Sequence, residues 1–556
     1  MKRLSGGAFI AGLLSALVTS GFSFMVLEIL FLRELLITLG GAIYASSAML
    51  GAVMLGLFLG SQIFGYLTMR LSKVTALFIV MELCLAGVCA GIIPVLRSFG
   101  LIAHWPARYI FSFIVIMLPS VLVGGEIPVA MQMIERYISK GRTGFYTGLI
   151  YGADTMGALI GALLLPFALL PELGAYKSSL VAAAGELASA LIIVALSKQA
   201  IFTFTGGTLG LLIVSAFAFA WSPRLDADSA VWAMRYRYKF LKSPELLSHS
   251  FQDSIYQRIQ MADIKLGSLN QPIRVLFLDG LIQSSTSPQR TYQEMIYFGL
   301  TAHPNPKHLL FIGCGDGDLI AAALADPRIE SIDQVDIDRA VIETAGARLP
   351  ELNHVKGLSI WDNPKVHLAI GDGRQFIRQN NRHYDLIFSD LPDASQEGSG
   401  IFYSVEFMQE IHRRLNPGGI YMTHDYLAPE VSRNRRLQLT SLVLGARTLK
   451  AAFGEYVYLM SPKLWPNKKA SEDNRQVTFL MASKGRPIAV DEQAWSKRFQ
   501  SFDPQPQWFN PERLKRWLDN SYHPEGLDDL PVSTDDRPVI LHPRRWSQAK
   551  AVLAIE

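Results

Sequence analysis

Hydrophobic positions in this 556-residue chain are unevenly spread. Up to about Trp221 they form nearly continuous runs; beyond it polar and apolar residues alternate and most of the charges appear. Seven runs approach the ~20 apolar residues of a bilayer-spanning helix: Ala8 to Phe31, Ile43 to Leu67, Val74 to Leu96, Tyr109 to Ile134, Phe145 to Leu170, Ser179 to Leu196 and Phe202 to Trp221. They predict a helical multi-pass membrane domain over residues 1–222. The first run follows Met1-Lys2-Arg3 as a signal peptide would, but it is too long and more spans follow directly, so it reads as a retained helix. Lys2, Arg3, Arg70, Lys73, Arg136, Lys140, Arg142 and Lys198 fall in alternate loops on the N-terminal side, which the positive-inside rule places in the cytoplasm.

Glu28, Glu82, Glu126, Asp154 and Glu186 interrupt these runs, with Arg33 and Glu34 near the end of the first. Acids at membrane depth are costly against lipid and face a bundle interior or a wet cavity. A cation-accepting cavity is the functional reading; protonated, hydrogen-bonded packing residues are the plain one. Gly56 to Gly60 and Gly157 to Gly161 have the GxxxG spacing of close helix packing.

Beyond the boundary, Ser254 to Met261 and Arg274 to Gly280 alternate as strands of a small antiparallel sheet, and Thr291 to Leu300 reads as a helix. A β, α alternation then begins. His308 to Ile312 is a buried strand entering Gly313-Cys314-Gly315-Asp316-Gly317-Asp318, where glycines let a ligand approach the backbone at the carboxyl edge of a parallel sheet. The next strand ends at Asp336, placed to accept hydrogen bonds from a ribose diol, while Asp338 and Asp318 read as helix caps. Val366 to Ile370 leads to Asp372 and Gly373, and Tyr384 to Phe388 leads to Asp390 and Asp393. Four successive strands thus bring acids to one rim. His424-Asp425, after the strand Ile420 to Met422, read as rim or cap residues because no serine or cysteine nucleophile motif accompanies them.

Composition fits this division. Half the residues are hydrophobic, 18% are charged and mean hydropathy is +0.23, too apolar for a wholly soluble or disordered chain. Lys plus Arg 52 against Asp plus Glu 48 leaves +4, which makes no case for a nucleic-acid partner. Cys84, Cys89 and Cys314 have neither a disulfide pattern nor metal-ligand spacing, and no metal is expected.

The second half resembles the spermidine synthase (polyamine aminopropyltransferase) family through YQRI at Tyr256 to Ile259, LDGLIQ at Leu278 to Gln283, YQEMI at Tyr292 to Ile296, IGCGDGD at Ile312 to Asp318, VDID at Val335 to Asp338, GDG at Gly371 to Gly373 and YDLIFSDLPD at Tyr384 to Asp393. The first half resembles the multi-pass segment fused to this domain in some bacterial members. The resemblance implies a linker and small β-sheet domain over 223–300, a Rossmann-like, methyltransferase-type α/β domain over 301–485, and a C-terminal extension over 486–556. It implies transfer of the aminopropyl group of decarboxylated S-adenosylmethionine, a co-substrate rather than a tightly bound cofactor, to a diamine, by default putrescine. Gln257, Gly313, Gly315, Asp316, Asp336, Asp372 and Gly373 would hold the donor; Tyr292, Gln293, Asp316 and Asp393 would line the acceptor path; Asp390 would be the general base. Methyltransferases that use the parent molecule usually carry an acid two residues before the first glycine, where this chain has Phe311. The chain departs from soluble members at Ser287 to Arg290 and at Ala394 to Gly400, which leaves the acceptor open.

A membrane-anchored methyltransferase and a polyamine transporter or sensor are the alternatives. The expected partners are polyamine and nucleoside sulfonium substrates and a lipid bilayer, with homo-oligomerisation left open, and the expected location is the bacterial inner membrane. Seven spans would export a catalytic domain whose donor is cytosolic. A misjudged span, or a re-entrant stretch at Arg33 to Gly41 or Gly124 to Pro128, would restore it to the cytoplasm.

Overall fold

The computed structural model describes residues 6–39, 42–99, 102, 105–137, 143–197, 245–265, 271–287, 293–392, 399–425, 435–460, 478–506, 509–521, 528 and 530–536. The chain forms two compact units, Met1–Pro272 with Phe277–Gln283, and Ile273–Leu276 with Ser284–Glu556.

The first unit opens with α1 (Gly6–Leu39), α2 (Ala42–Arg70), α3 (Val74–Ser98), α4 (Trp105–Tyr137), α5 (Thr143–Leu164), a single π turn at Leu165–Leu169, and α6 (Leu170–Ser197). Five stretches are long and apolar enough to cross a membrane, the last running from Thr143 to Ser197. At ~1.5 Å per residue that last stretch far exceeds a ~30 Å hydrocarbon layer. Gly174, at φ 76° and ψ 173°, breaks it into two. Six of the seven apolar runs therefore coincide with helices, while Phe202 to Trp221 lies outside the described residues. Gly124 to Pro128 sits inside the continuous α4 and does not form a re-entrant break.

Both GxxxG pairs are helix contacts. A Cβ on Gly60 would sit 2.0 Å from the Val121 carbonyl oxygen, and one on Gly157 would sit 1.9 Å from that of Val18, so α2 meets α4 and α5 meets α1 backbone to backbone. Facing outward are large apolar side chains, among them Phe58, Phe111, Leu118, Phe145 and Phe167.

Strands β1 (Glu245–Asp253) and β2 (Arg258–Lys265) pair antiparallel and belong to a sheet of order β1-β2-β3-β4 with β3 (Ile273–Leu278) and β4 (Leu281–Ser285). The strand expected from Ser254 starts only at Arg258. Ser254 Oγ accepts the backbone N–H groups of Tyr256 and Gln257 at 3.1 and 3.0 Å, closing a local turn that competes with the ladder. Asp279 and Gly280, at φ 48° and 73°, close the β3–β4 hairpin in left-handed geometry.

Asp253 gathers the first unit. Its carboxylate accepts Arg33 of α1 at 2.6 Å, Arg258 at 2.9 and 3.0 Å, and the Ala175 backbone N–H beside the Gly174 break at 3.2 Å. Burial raises its pKa, but Arg258 and Arg33 outweigh burial and hold the carboxyl well below its usual range.

The second unit is built on a seven-stranded sheet. Its members are β5 (His308–Gly313), β6 (Ser331–Asp336), β9 (Val366–Ile370), β10 (Tyr384–Asp390), β11 (Leu415–Asp425), β12 (Val457–Met460) and β13 (Thr478–Ser483), with β7 (His354–Val355) and β8 (Leu358–Ser359) forming a small separate hairpin. The order is β12-β13-β11-β10-β5-β6-β9, parallel from β9 to β11, with β13 antiparallel to β11 and β12. This is the Rossmann-like arrangement the resemblance implied, with the chain winding outward in both directions from β5.

Alternate residues of β5 feed separate cores, which is why the strand reads as a continuous apolar run. Leu309 and Phe311 join Phe298, Phe388, Trp495 and Trp517 on one face; Leu310 and Ile312 join Val335, Phe407 and Tyr421 on the other. Residues after 486 belong to this core through the fully buried Trp495 and Trp517.

Replacing Asp253 with alanine strips a buried counter-charge from two guanidiniums. The variant is expected to lose about 3–5 kcal/mol of stability at neutral pH, read by thermal or denaturant unfolding. The wild-type contribution is present above the ordinary carboxyl pKa of ~3.9 and fades as pH falls through the depressed folded value, so the two proteins converge in strong acid.

Candidate active site

At the carboxyl edge β5 lies between β6 and β10, where a doubly wound sheet leaves a crevice for a ligand. Gly313 is the register partner of Asp390, with φ 87°, and a Cβ there would sit 2.1 Å from the Asp390 carbonyl oxygen, so only glycine fits. Cys314 follows in the left-handed region at φ 62°. Three side chains hold this strained turn: Gln334 donates to the Cys314 carbonyl at 2.9 Å, Trp361 donates to Gln334 at 2.8 Å, and Asn353 donates to the Asp316 carbonyl at 3.2 Å. No motif in the sequence marks them.

Asp316, Asp336 and Asp390 converge. Burial pushes the Asp316 carboxyl up to about 6, the Asp390 charge adds to this, and the Ser284 hydroxyl and Asp318 N–H oppose it. Burial pushes Asp336 up to about 7 against the Asp338 N–H, with the charges of Asp338, Asp390 and Asp316 adding to the rise. The Cys314 thiol is pushed well up by burial and then by the same three rim acids, so it is no nucleophile. Asp338 caps the helix Arg339–Arg348, its side chain accepting the Ala340 N–H.

Other expected residues divide. Asp372 accepts the Gln375 N–H at 2.8 Å as the cap of the helix Gly373–Gln379, and a Cβ on Gly373 would meet Ile312 Cγ2 at 2.5 Å. Gly315 is confined by Asp336 Oδ2 and Val341 Cγ1, each 2.9 Å from a Cβ built there. Gln293 is buried and donates to Asp318 Oδ1 at 2.7 Å, and the Asp318 N–H reaches Asp316 Oδ1 at 3.2 Å. Asp318 is therefore not the expected cap: Gly317 holds that position, and the Asp318 carboxylate receives Gln293. Gln257 lies in the first unit, with its backbone in the Ser254 turn. Tyr292 and Asp393 lie outside the described residues.

His424 lies at the rim, as its sequence context suggested, but with a partner that context did not show. Its Nε2 is 2.6 Å from Asp390 Oδ1, and its side chain is 8% exposed against 30% for Asp390. The pairing follows from the parallel register of Ser389 with Thr423, which sets Asp390 beside His424. Tyr403 donates to the Pro392 carbonyl at 3.1 Å and steadies the segment after Asp390. Among the described residues, the one metal-sized group of ligands is elsewhere, in the helical unit.

Residues 289–440 match the family model described as the spermine/spermidine synthase domain. A polyamine aminopropyltransferase of Oceanobacillus iheyensis is 26% identical over 403 residues, covering 69% of this chain and 73% of that protein. That coverage exceeds the part beyond Trp221, so the likeness reaches into the apolar half. A polyamine aminopropyltransferase of Escherichia coli is 37% identical over 153 residues, 27% of this chain and 51% of that protein, and a spermidine synthase of Dictyostelium discoideum is 37% identical over 147 residues, 26% and 50%. The chain spans about half the length of these two relatives. The solved spermidine synthase of Thermotoga maritima is 21% identical, with 49% of this chain and 84% of that one covered at a TM-score of 0.37.

Raised carboxyl pKa values at the sheet edge cost the second unit stability once the acids ionise. Below the unfolded pKa of ~3.9 Asp336 costs nothing; the penalty grows as pH rises and is complete above about 7. Unliganded Asp336→Asn should therefore be more stable than wild type by roughly 2–4 kcal/mol at pH 8 and equal to it at pH 4, measured by denaturant unfolding across that range.

Proposed function

We propose that the chain is a membrane-embedded polyamine aminopropyltransferase that moves the aminopropyl group of decarboxylated S-adenosylmethionine to a diamine, by default putrescine. The observation that carries this is the convergence of Asp316, Asp336 and Asp390 beside the glycine turn, with Asp316 and Asp336 buried enough to oppose their own ionisation. Such a rim gains most from a ligand that brings positive charge and no carboxylate. The decarboxylated donor does so, with a sulfonium and an ammonium. Phe311, where a methyltransferase would place an acid, is fully buried and stacks on Phe388 at 5.1 Å, which disfavours methyl transfer from the parent molecule.

In this reading Asp336 holds the ribose diol, Asp316 the donor amine, Asp372 and Gly373 the adenine end, Gly313 and Gly315 the close backbone approach, and Gln257 the nucleoside. Tyr292, Gln293 and Asp393 line the acceptor path, with Asp316 at its inner end. An alkylammonium with a solution pKa near ~10.4 is no nucleophile until it loses a proton, and Asp390 takes that proton. The freed nitrogen attacks the propyl carbon next to sulfur; the new N–C bond forms as the C–S bond breaks, and its electron pair leaves on neutral methylthioadenosine. With its proton on Nε2, His424 donates to Asp390 Oδ1 and turns the second oxygen toward the amine. Fixing two cations in line supplies much of the acceleration.

The helices of the first unit would span the membrane, supported by their length and their outward apolar side chains. We place them in the bacterial inner membrane with the synthase domain in the cytoplasm, where the donor is made. A compartment-sensitive reporter fused after Glu556 tests this, and an external signal would refute it.

Purified protein given the decarboxylated donor and putrescine should release methylthioadenosine. Asp390→Asn should lower kcat by about 10²–10⁴-fold with donor binding retained. His424→Ala should lower kcat with little change in donor affinity, and His424→Gln, which keeps a donor group, should recover part of the loss. Release from no diamine, or tighter binding of the parent S-adenosylmethionine, would refute the reading.

Protonation of Asp316 should weaken donor binding as pH falls through about 6. Asp316→Asn should bind weakly and lose the component near 6 while keeping that of Asp336 near 7, as read by calorimetry.

A further inference from the structure

Three carboxylates from three helices meet inside the first unit. Glu82 of α3, Glu126 of α4 and Glu186 of α6 place oxygens within 4.8 Å of one another and are each at most 2% exposed. Both oxygens of Glu82 and one each of Glu126 and Glu186 have no hydrogen-bond partner. Other buried acids of this unit are matched by guanidiniums, as Glu34 is by Arg97 at 2.9 Å and Asp253 by Arg33 and Arg258. No such pair serves these three among the described residues.

A separate group points to the same spot. Ser189, one turn beyond Glu186 on α6, is fully buried; its hydroxyl faces Glu82 and has no hydrogen-bond partner of good geometry. Ser20 of α1 donates to Glu126 Oε1 at 2.9 Å. Glu28 and Asp154, both half-buried, stand nearby, and Asp154 is within electrostatic reach of Glu28 and of all three buried acids. The acids thus grade from accessible to enclosed.

We propose that Glu82, Glu126 and Glu186, completed by the Ser20 and Ser189 hydroxyls, bind one dehydrated divalent cation of calcium size. Every donor is a hard oxygen, and no thiol or imidazole belongs to the group, which selects against zinc and copper. The 4.8 Å limit is about twice a calcium–oxygen distance of ~2.3–2.6 Å, whereas magnesium needs ~2.0–2.1 Å and usually keeps several of its waters. Three carboxylates, one divalent ion and one retained proton sum to zero charge, the condition under which such a group is tolerated away from water. The site does not depend on the transfer reaction.

Equilibrium binding of radioactive Ca²⁺ to the full chain in detergent, with Na⁺ and Mg²⁺ as competitors, tests the proposal. One Ca²⁺ per chain is expected, held in the presence of equimolar Na⁺ or Mg²⁺. Affinity should fall at least about tenfold in each of Glu82→Gln, Glu126→Gln and Glu186→Gln. Ser189→Ala, a milder change, should weaken binding by a smaller factor, and keeps the test intact where a glutamine variant fails to fold. Any of three results overturns the proposal: no Ca²⁺ retained by the wild-type chain, retention unchanged in all folded variants, or preferential binding of Na⁺. Infrared carboxylic-acid bands that disappear with each glutamine substitution but ignore Ca²⁺ would also overturn it, by showing that protons alone satisfy the group.

Discussion

Negative charge enclosed without a matching positive charge is the constraint around which both units are arranged. A buried carboxylate is tolerable when a cation or several donors replace its water. The chain supplies them for its structural acids: Asp253 has two arginines, Glu34 has Arg97, Asp333 has Arg382 and the Tyr384 hydroxyl, and Glu410 has Arg374 and Arg378. Among the described residues no arginine or lysine is paired with Asp316 and Asp336 at the sheet edge or with Glu82, Glu126 and Glu186 among the helices. Deficits of this kind cost stability, and they persist where a ligand restores the balance. The contrast between matched and unmatched acids separates framework from site more sharply than burial does.

This contrast was only half visible in the sequence. Strand ends at Ile312, Asp336, Ile370 and Phe388, within two residues of the observed ones, could be read because a parallel sheet covered on both faces demands short apolar runs, and polar residues mark where they stop. The acids at those ends share an edge by topology alone. Nothing local shows which acids have partners: the arginines that match Asp253 are 220 and 5 residues away in sequence. Glu82, Glu126 and Glu186 lie on three helices, and their convergence depends on rotations that a hydropathy run does not encode.

The local misreadings have similar causes. Ser254 has the polarity of a strand residue, yet its hydroxyl captures two backbone donors and delays the strand to Arg258. Asp318 has the look of a cap, but Gln293, 25 residues earlier, engages its carboxylate. Gly174 sits unobtrusively between two apolar runs, and its positive φ alone separates one long helix into two. In each case a single side chain or dihedral overrides the pattern around it.

His424 shows how register carries chemistry. Its partner Asp390 is 34 residues away, and no motif joins them. They meet because β10 pairs with β11 as Ser389 to Thr423, while β10 also pairs with β5 as Asp390 to Gly313. A slip of one residue in the first pairing would turn the imidazole to the opposite face of the sheet; a slip in the second would put a side chain's worth of backbone where Gly313 leaves none. Apolar residues on both faces of β5 and β10 forbid either slip, since each would drive one core's residues into the other. The fully buried Phe311 and Phe388, far from any reacting atom, thereby fix the position of the carboxylate proposed as the base.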